Sequence, residues 1–185
     1  MSMSELKSRK EKQNIILVGF MGTGKSSVGK RLAKILGWSF IDTDVEIERL
    51  TGLSVSEIFR RHGETRFRSE ERLLVRRLKE QVNCVIATGG GTVLNPLNWE
   101  ELAQSGVMVT LYAPLDVIYE RIGYRNDRPL LRGDREEIEE RWAKRQPIYR
   151  QADLIIDTTD MGIDEVVQEI ICEIKGGVSD ERAEN

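Results

Sequence analysis

Eight consecutive residues, Gly19-Phe20-Met21-Gly22-Thr23-Gly24-Lys25-Ser26, restrict the fold of this chain more than any other stretch. Their spacing is G-x-x-x-x-G-K-[ST]. The apolar run Asn14 to Val18 before them reads as a buried strand. After them, Val28, Leu32, Ile35 and Leu36 recur at helical spacing, and Gly37 follows as a stop. In the order strand, glycine-rich turn, helix, the pattern predicts a polyphosphate site. Backbone N–H groups can curl round an anion only where side chains leave room, hence Gly19, Gly22 and Gly24. The helix start adds unpaired N–H groups and the positive end of its dipole. Lys25 brings a mobile charge to the β- and γ-phosphates, and the Ser26 hydroxyl can ligate Mg²⁺.

The rest of the chain predicts strands and helices in alternation. Short apolar strands are expected at Ser39 to Ile41, Cys84 to Thr88, Val107 to Tyr112 and Leu154 to Asp157. Between them, Ser54-Val55-Ser56-Glu57 is a capping box that opens a helix ending near Gly63. A longer helix follows from about Glu64 to Gln81, with Phe67, Leu74, Val75 and Leu78 as its apolar stripe. Asn95-Pro96 starts another helix, Asp134 caps one reaching about Arg150, and Ile163 to Lys175 is the last. The expected fold class is therefore α/β, a five-stranded parallel sheet with helices on both faces. Ligands should gather at the carboxyl ends of its strands. The glycine-rich loop, Asp42-Thr43-Asp44 and Gly89-Gly90-Gly91 all fall there.

At 185 residues, the length suits one domain. Residues 14–177 are assigned to it, between polar tails at 1–13 and 178–185. A net charge of −3 argues against nucleic-acid binding by bulk electrostatics. No apolar run nears the ~20 residues of a membrane span, and the first residues, with Lys7, Arg9, Lys10 and Lys12, resemble no secretory signal. A cytoplasmic monomer with no membrane partner is expected. Cys84 and Cys172 fit no metal spacing and are expected as small buried hydrophobes. His62, the only histidine, sits at a helix end and reads as a surface residue, which disfavours protease constellations.

Many phosphate-loop proteins hold Mg²⁺ with an Asp at a strand end. The strand ending in Thr88-Gly89 has none, so Asp42 is the available carboxylate. In an extended segment Asp44 would lie on the same side, leaving one acid for the hydrated metal and one for an acceptor hydroxyl. The local pattern also allows Asp44 to be only a helix cap.

The segments GFMGTGKSSVG (19–29), FIDTDVEI (40–47), GLSVSEIFRRHGETRFR (52–68), GGGTV (89–93), RPLL (128–131) and RQPIY (145–149) together closely resemble the shikimate kinases. The resemblance implies a P-loop kinase of the nucleoside-monophosphate-kinase-like type, with a substrate-binding insertion at about 44–81 and a mobile lid at about 123–133. It implies transfer of the ATP γ-phosphoryl group to the shikimate 3-hydroxyl, a step in aromatic amino-acid biosynthesis. Carried over, Gly22, Thr23, Gly24, Lys25, Ser26 and Ser27 would hold ATP, with Mg²⁺ on Ser26 and, through its water shell, Asp42. Asp44, Arg68, Gly90 through its amide, and Arg145 would hold shikimate, and Arg128 would come down from the lid. Lys25, Asp44 and Arg128 would carry the catalysis. By local pattern alone, Arg68 and Arg145 read as solvated helix surface, and 123–133 as either a lid or an ordinary exposed loop. Thr92 and Gln146 depart from the family pattern without disturbing it. A gluconate kinase is the nearest rival. A nucleoside monophosphate kinase or a GTP-driven switch is further off, because the chain lacks an Asp-Gly-Phe-Pro-Arg-like segment and an Asn-Lys-x-Asp guanine-reading segment.

Overall fold

The computed structural model describes residues 14–122 and 135–179. Strands β1 (Asn14–Val18), β2 (Ser39–Asp42), β3 (Cys84–Ala87), β4 (Gly106–Tyr112) and β5 (Leu154–Asp157) form one sheet in the order β2-β3-β1-β4-β5. Every neighbouring pair is parallel. Parallel neighbours need crossovers, and helical crossovers bury both faces of the sheet. That is why β1 and β3 are apolar runs buried at every position instead of alternating.

Helices α1 (Lys25–Leu36) and α7 (Ile163–Ser179) cover one face. There Val28, Leu32, Val166, Val167 and Ile170 pack on Ile15, Leu17, Val85 and Val109. The other face carries α3 (Val55–Leu78), α4 (Pro96–Ser105), α5 (Leu115–Ile122) and α6 (Arg135–Tyr149). Phe67, Leu74, Leu102, Ile118 and Ile138 pack there with Ile16, Val18, Ile86 and Met108, and α2 (Thr43–Thr51) adds Ile47. After β1 the chain leaves by α1 on one face, and after β3 by α4 on the other. The two departures open a crevice at the carboxyl ends of β1 and β3, the position at which open α/β sheets bind ligands.

Ser54 and Glu57 form the expected capping box, with Glu57 N–H on Ser54 Oγ at 3.2 Å and Ser54 N–H on Glu57 Oε2 at 3.1 Å. The two helices expected around Gly63 run into one another as α3, bent where Gly63 adopts φ 79° and ψ 173°. Other expectations need correction. Cys84 is buried but Cys172 is exposed, because α7 turns Val166, Val167 and Ile170 to the sheet and Cys172 away from it. Helix α7 also continues through Gly176 and Gly177 to Ser179, past the expected end at Lys175. Each glycine costs about 1 kcal/mol of helix propensity, which is no stop signal without a left-handed cap. The second strand runs one residue beyond the expected Ile41, to Asp42, and the extended segment expected to carry Asp44 is helical, because Thr43 and Asp44 already belong to α2.

Candidate active site

The loop after β1 is shaped by backbone geometry. Gly24 is the N-cap of α1 with φ 94°, a left-handed conformation that glycine adopts without strain, and it offers no side chain to the helix N–H groups. Those groups have no partner inside a helix, so they and the dipole face the crevice. Thr23 is buried and donates from Oγ1 to the Phe20 carbonyl at 2.9 Å, tying the turn across itself. Lys25 Nζ donates to the carbonyls of Gly19 at 2.8 Å and Phe20 at 2.7 Å. Gly22 and Ser26 are half-buried beside it, and Ser27 is exposed.

Ser26 Oγ donates to Asp42 Oδ2 at 2.6 Å, joining the start of α1 to the end of β2. Asp42 Oδ1 accepts from Asp44 N–H at 3.1 Å and Val45 N–H at 3.5 Å, so Asp42 and not Asp44 caps α2. Only Asp42 has extended backbone, at φ −103° and ψ 119°. The two acids are brought together by a helix start, not by strand alternation. A hydroxyl and a carboxylate make a hard-oxygen pair suited to Mg²⁺, which keeps several waters and takes few protein ligands. Among the described residues no cluster of three or more His, Cys, Asp or Glu forms a fuller cage. The pair therefore fits a metal completed by phosphate and water.

Asp44 has a buried Oδ1 without a hydrogen-bond partner among the described residues. Burial, then the charges of Asp42 and Glu71, push its carboxyl up to about 6, against an opposing pull from Lys25. The oxygen faces Gly89 so closely that a Cβ there would collide with it. Gly89 N–H in turn donates to Thr43 Oγ1 at 2.8 Å, fastening the triple-glycine turn to α2.

Two arginines close on that turn from separate helices. Arg68, on α3, donates from Nη1 to Glu71 Oε2 at 2.6 Å and from Nη2 to Glu64 Oε1 at 2.8 Å. Its guanidinium lies where a Cβ on Gly91 would sit 2.5 Å from Nη1. Arg145, on α6, donates from Nη1 to the Gly90 carbonyl at 3.3 Å, and its guanidinium lies 5.7 Å from the Phe20 ring centroid. The Tyr149 hydroxyl donates to the same carbonyl at 2.6 Å. Gly90 thus meets Arg145 through its carbonyl. Lys25, Ser26, Asp42, Asp44, Arg68, Gly90 and Arg145 all adjoin the crevice. Arg128 and the segment 123–133 lie outside the described residues.

Sequence reasoning missed Glu71, Tyr149 and Phe20. Glu71 had a signal: it falls four residues after Phe67 and three before Leu74, inside the buried stripe of α3. A carboxylate on an apolar stripe needs a partner, and Arg68 is one turn away.

The family model for shikimate kinase matches residues 21–175. The chain belongs to the shikimate kinase family. A shikimate kinase of Pelotomaculum thermopropionicum is 51% identical over 161 residues, which are 86% of this chain and 94% of the relative. The solved shikimate kinase from Acinetobacter baumannii in complex with shikimate is 36% identical, with a TM-score of 0.85 over 92% of this chain and 98% of that one. A gluconokinase from Sinorhizobium meliloti reaches a TM-score of 0.62 at 17% identity, over 95% and 98% of the two chains. That likeness is one of fold alone, so the rival gluconate-kinase reading gains nothing from it. The sheet is the nucleoside-monophosphate-kinase-like one of the shikimate kinases, and the chain is an ATP-dependent phosphotransferase. Among the described residues no helix is long and apolar enough to cross a membrane.

Proposed function

We propose that this chain transfers the γ-phosphoryl group of ATP to the 3-hydroxyl of shikimate, giving shikimate 3-phosphate and ADP in aromatic amino-acid biosynthesis. The observation that carries the mechanism is the unpartnered, buried Asp44 Oδ1 beside a phosphate loop and two converging arginines. In the transfer, the acceptor oxygen bonds to the γ-phosphorus, the bond from that phosphorus to the ADP oxygen breaks, and the hydroxyl proton passes to Asp44. A carboxyl near 6 is ionised at neutral pH and still basic enough to take that proton.

Residues Gly22 to Ser27 cradle the phosphates, and Lys25 leaves its loop carbonyls to stabilise charge on the transferring group. Ser26 and Asp42 would hold Mg²⁺, which would neutralise phosphate charge when bound. Shikimate carries one carboxylate and three hydroxyls, which suits guanidinium forks at Arg68 and Arg145 with Asp44 on the hydroxyl side. The Gly90 amide and Arg128 keep the roles that the resemblance gives them. Residues of about 44–81 act as the substrate-binding insertion, since Asp44 and Arg68 both come from it.

The test incubates the protein with ATP, Mg²⁺ and shikimate, follows ADP release and identifies the product by ³¹P NMR. ADP release that requires shikimate, with a new phosphomonoester signal, is expected. Release indifferent to shikimate, or equal with gluconate, overturns the reading.

A further inference from the structure

Thr92 follows the triple glycine, and its side chain is unexplained by the chemistry above. It is 0% exposed, yet it carries a hydroxyl into the core. Its backbone is fixed at both ends: Thr92 N–H donates to the Gly89 carbonyl at 3.1 Å, and the Thr92 carbonyl accepts from Asn98 Nδ2 at 2.9 Å. Its Oγ1 therefore has a set position, and from it donates to Glu71 Oε1 at 2.6 Å.

Glu71 is 1% exposed and divides its two oxygens between two partners. Oε1 takes the Thr92 hydroxyl, and Oε2 takes Arg68 Nη1 at 2.6 Å. A carboxylate held at one oxygen can turn about its terminal bond; held at both, its plane is fixed. Arg68 also donates to Glu64, but that carboxylate is 63% exposed and gives little anchorage. The rigid chain therefore runs from the triple-glycine turn through Thr92 and Glu71 to the Arg68 guanidinium, which returns to lie against Gly91 of the same turn.

We propose that Thr92 is a positioning residue for the acceptor: its hydroxyl, acting through Glu71, sets where Arg68 stands. The inference rests on the reading that Arg68 grips the shikimate carboxylate. Thr92 is fully buried and its hydroxyl is engaged by Glu71, so its loss should misplace one arginine and leave the phosphate loop untouched. A hydroxyl present only to satisfy a buried carboxylate would affect stability and not discriminate between substrates.

The decisive comparison sets Thr92→Val, which keeps the shape and removes the donor, beside Thr92→Ser, which keeps the donor. Arg68→Ala is the reference. Thr92→Val should raise the shikimate KM roughly tenfold, the scale of one charge-assisted hydrogen bond, with the ATP KM unchanged within about twofold. Thr92→Ser should restore most of the shikimate affinity. Thr92→Ala is measured as well, so that a folding failure of the valine variant leaves a donor-free protein to compare with the serine one. Normal shikimate KM in the donor-free variant while Arg68→Ala is impaired overturns the role of Thr92 alone. Equal weakening of ATP and shikimate, or a serine variant as impaired as the donor-free one, does the same. Normal shikimate KM in Arg68→Ala overturns the carboxylate grip and the role of Thr92 with it.

Discussion

The phosphate end and the acceptor end of the crevice are neighbours in space and opposites in construction. The phosphate end is one run of chain, Gly19 to Ser26, that works mainly through its backbone and the start of α1. The proposed acceptor end is assembled from Asp44 on α2, Arg68 and Glu71 on α3, the turn Gly89 to Thr92, and Arg145 and Tyr149 on α6. A backbone site is specified by glycines at fixed offsets, so it tolerates change almost anywhere else. A side-chain site depends on four separate elements keeping their distances. Damage to the first should act on charge in the transition state, and damage to the second on which acceptor is held.

Asp44→Asn tests that division most severely. General-base removal costs typically about 10²–10⁴ in rate, and turnover should fall by that range while ATP binding persists. In the unaltered protein kcat/KM for shikimate should decline as pH drops through about 6, where Asp44 of the free protein becomes protonated. A pH-rate profile flat from 5 to 7 would remove Asp44 as the base. Next comes Lys25→Met. Loss of one preorganised contact to the developing charge costs about 10²–10³ in kcat, and the shikimate dissociation constant should barely move. Calorimetric titration of each ligand checks this, and near-normal turnover would disconnect the loop from the reaction.

The third prediction concerns stability in the ligand-free protein. Asp44 has a folded-state value near 6 against 3.8 for the free carboxyl, so folding favours its protonated form. Its contribution is full below about 3.8 and is lost as pH rises through about 6. At about 1.4 kcal/mol per pH unit the cost of the ionised form approaches 3 kcal/mol. Asp44→Asn should therefore raise the unfolding free energy of the inactive protein at pH 8 more than at pH 4, by urea denaturation. A larger gain at pH 4 reverses the sign and rejects the assignment. The smallest effect belongs to Arg68→Ala, which forfeits a charge-assisted contact worth about 1.5–3 kcal/mol. Shikimate binding should weaken roughly ten- to hundredfold with ATP binding intact, and a parallel loss of both would blur the two ends into one.

The same contrast governs what the amino-acid order reveals. Local rules placed β1, the loop and α1, the capping box at Ser54, and the Asn95-Pro96 helix start, because each depends on residues within a turn or two. At the acceptor end, local pattern offered Asp44 and the triple glycine, whereas Arg68 and Arg145 stood out only through resemblance. Helix α3 carries many arginines and glutamates, and only the place of Glu71 on the apolar stripe sets the Arg68–Glu71 pair apart from solvated pairs such as Arg61–Glu57. Tyr149 reads as an ordinary core aromatic until the sheet brings Gly90 to its hydroxyl. Ser26 and Asp42 were expected to meet at one metal, but the capping role of Asp42 was hidden, since it depends on β2 stopping one residue into the Asp-Thr-Asp run.

One arrangement at the phosphate end has a thermodynamic side. Lys25 Nζ rests on the carbonyls of Gly19 and Phe20, oxygens of the very loop that receives the nucleotide. The loop thus carries an internal competitor for its own ligand. On the proposed role of Lys25, arriving polyphosphate would exchange these lysine–carbonyl bonds for lysine–phosphate bonds, and the observed affinity would be only the difference. Because phosphate oxygens bear full charge and peptide oxygens do not, the exchange becomes most favourable as negative charge accumulates on the transferring group. A lysine stored in this way, in the proposed role, would contribute little to ground-state grip and most at the summit of the barrier, directing its binding energy to the chemical step.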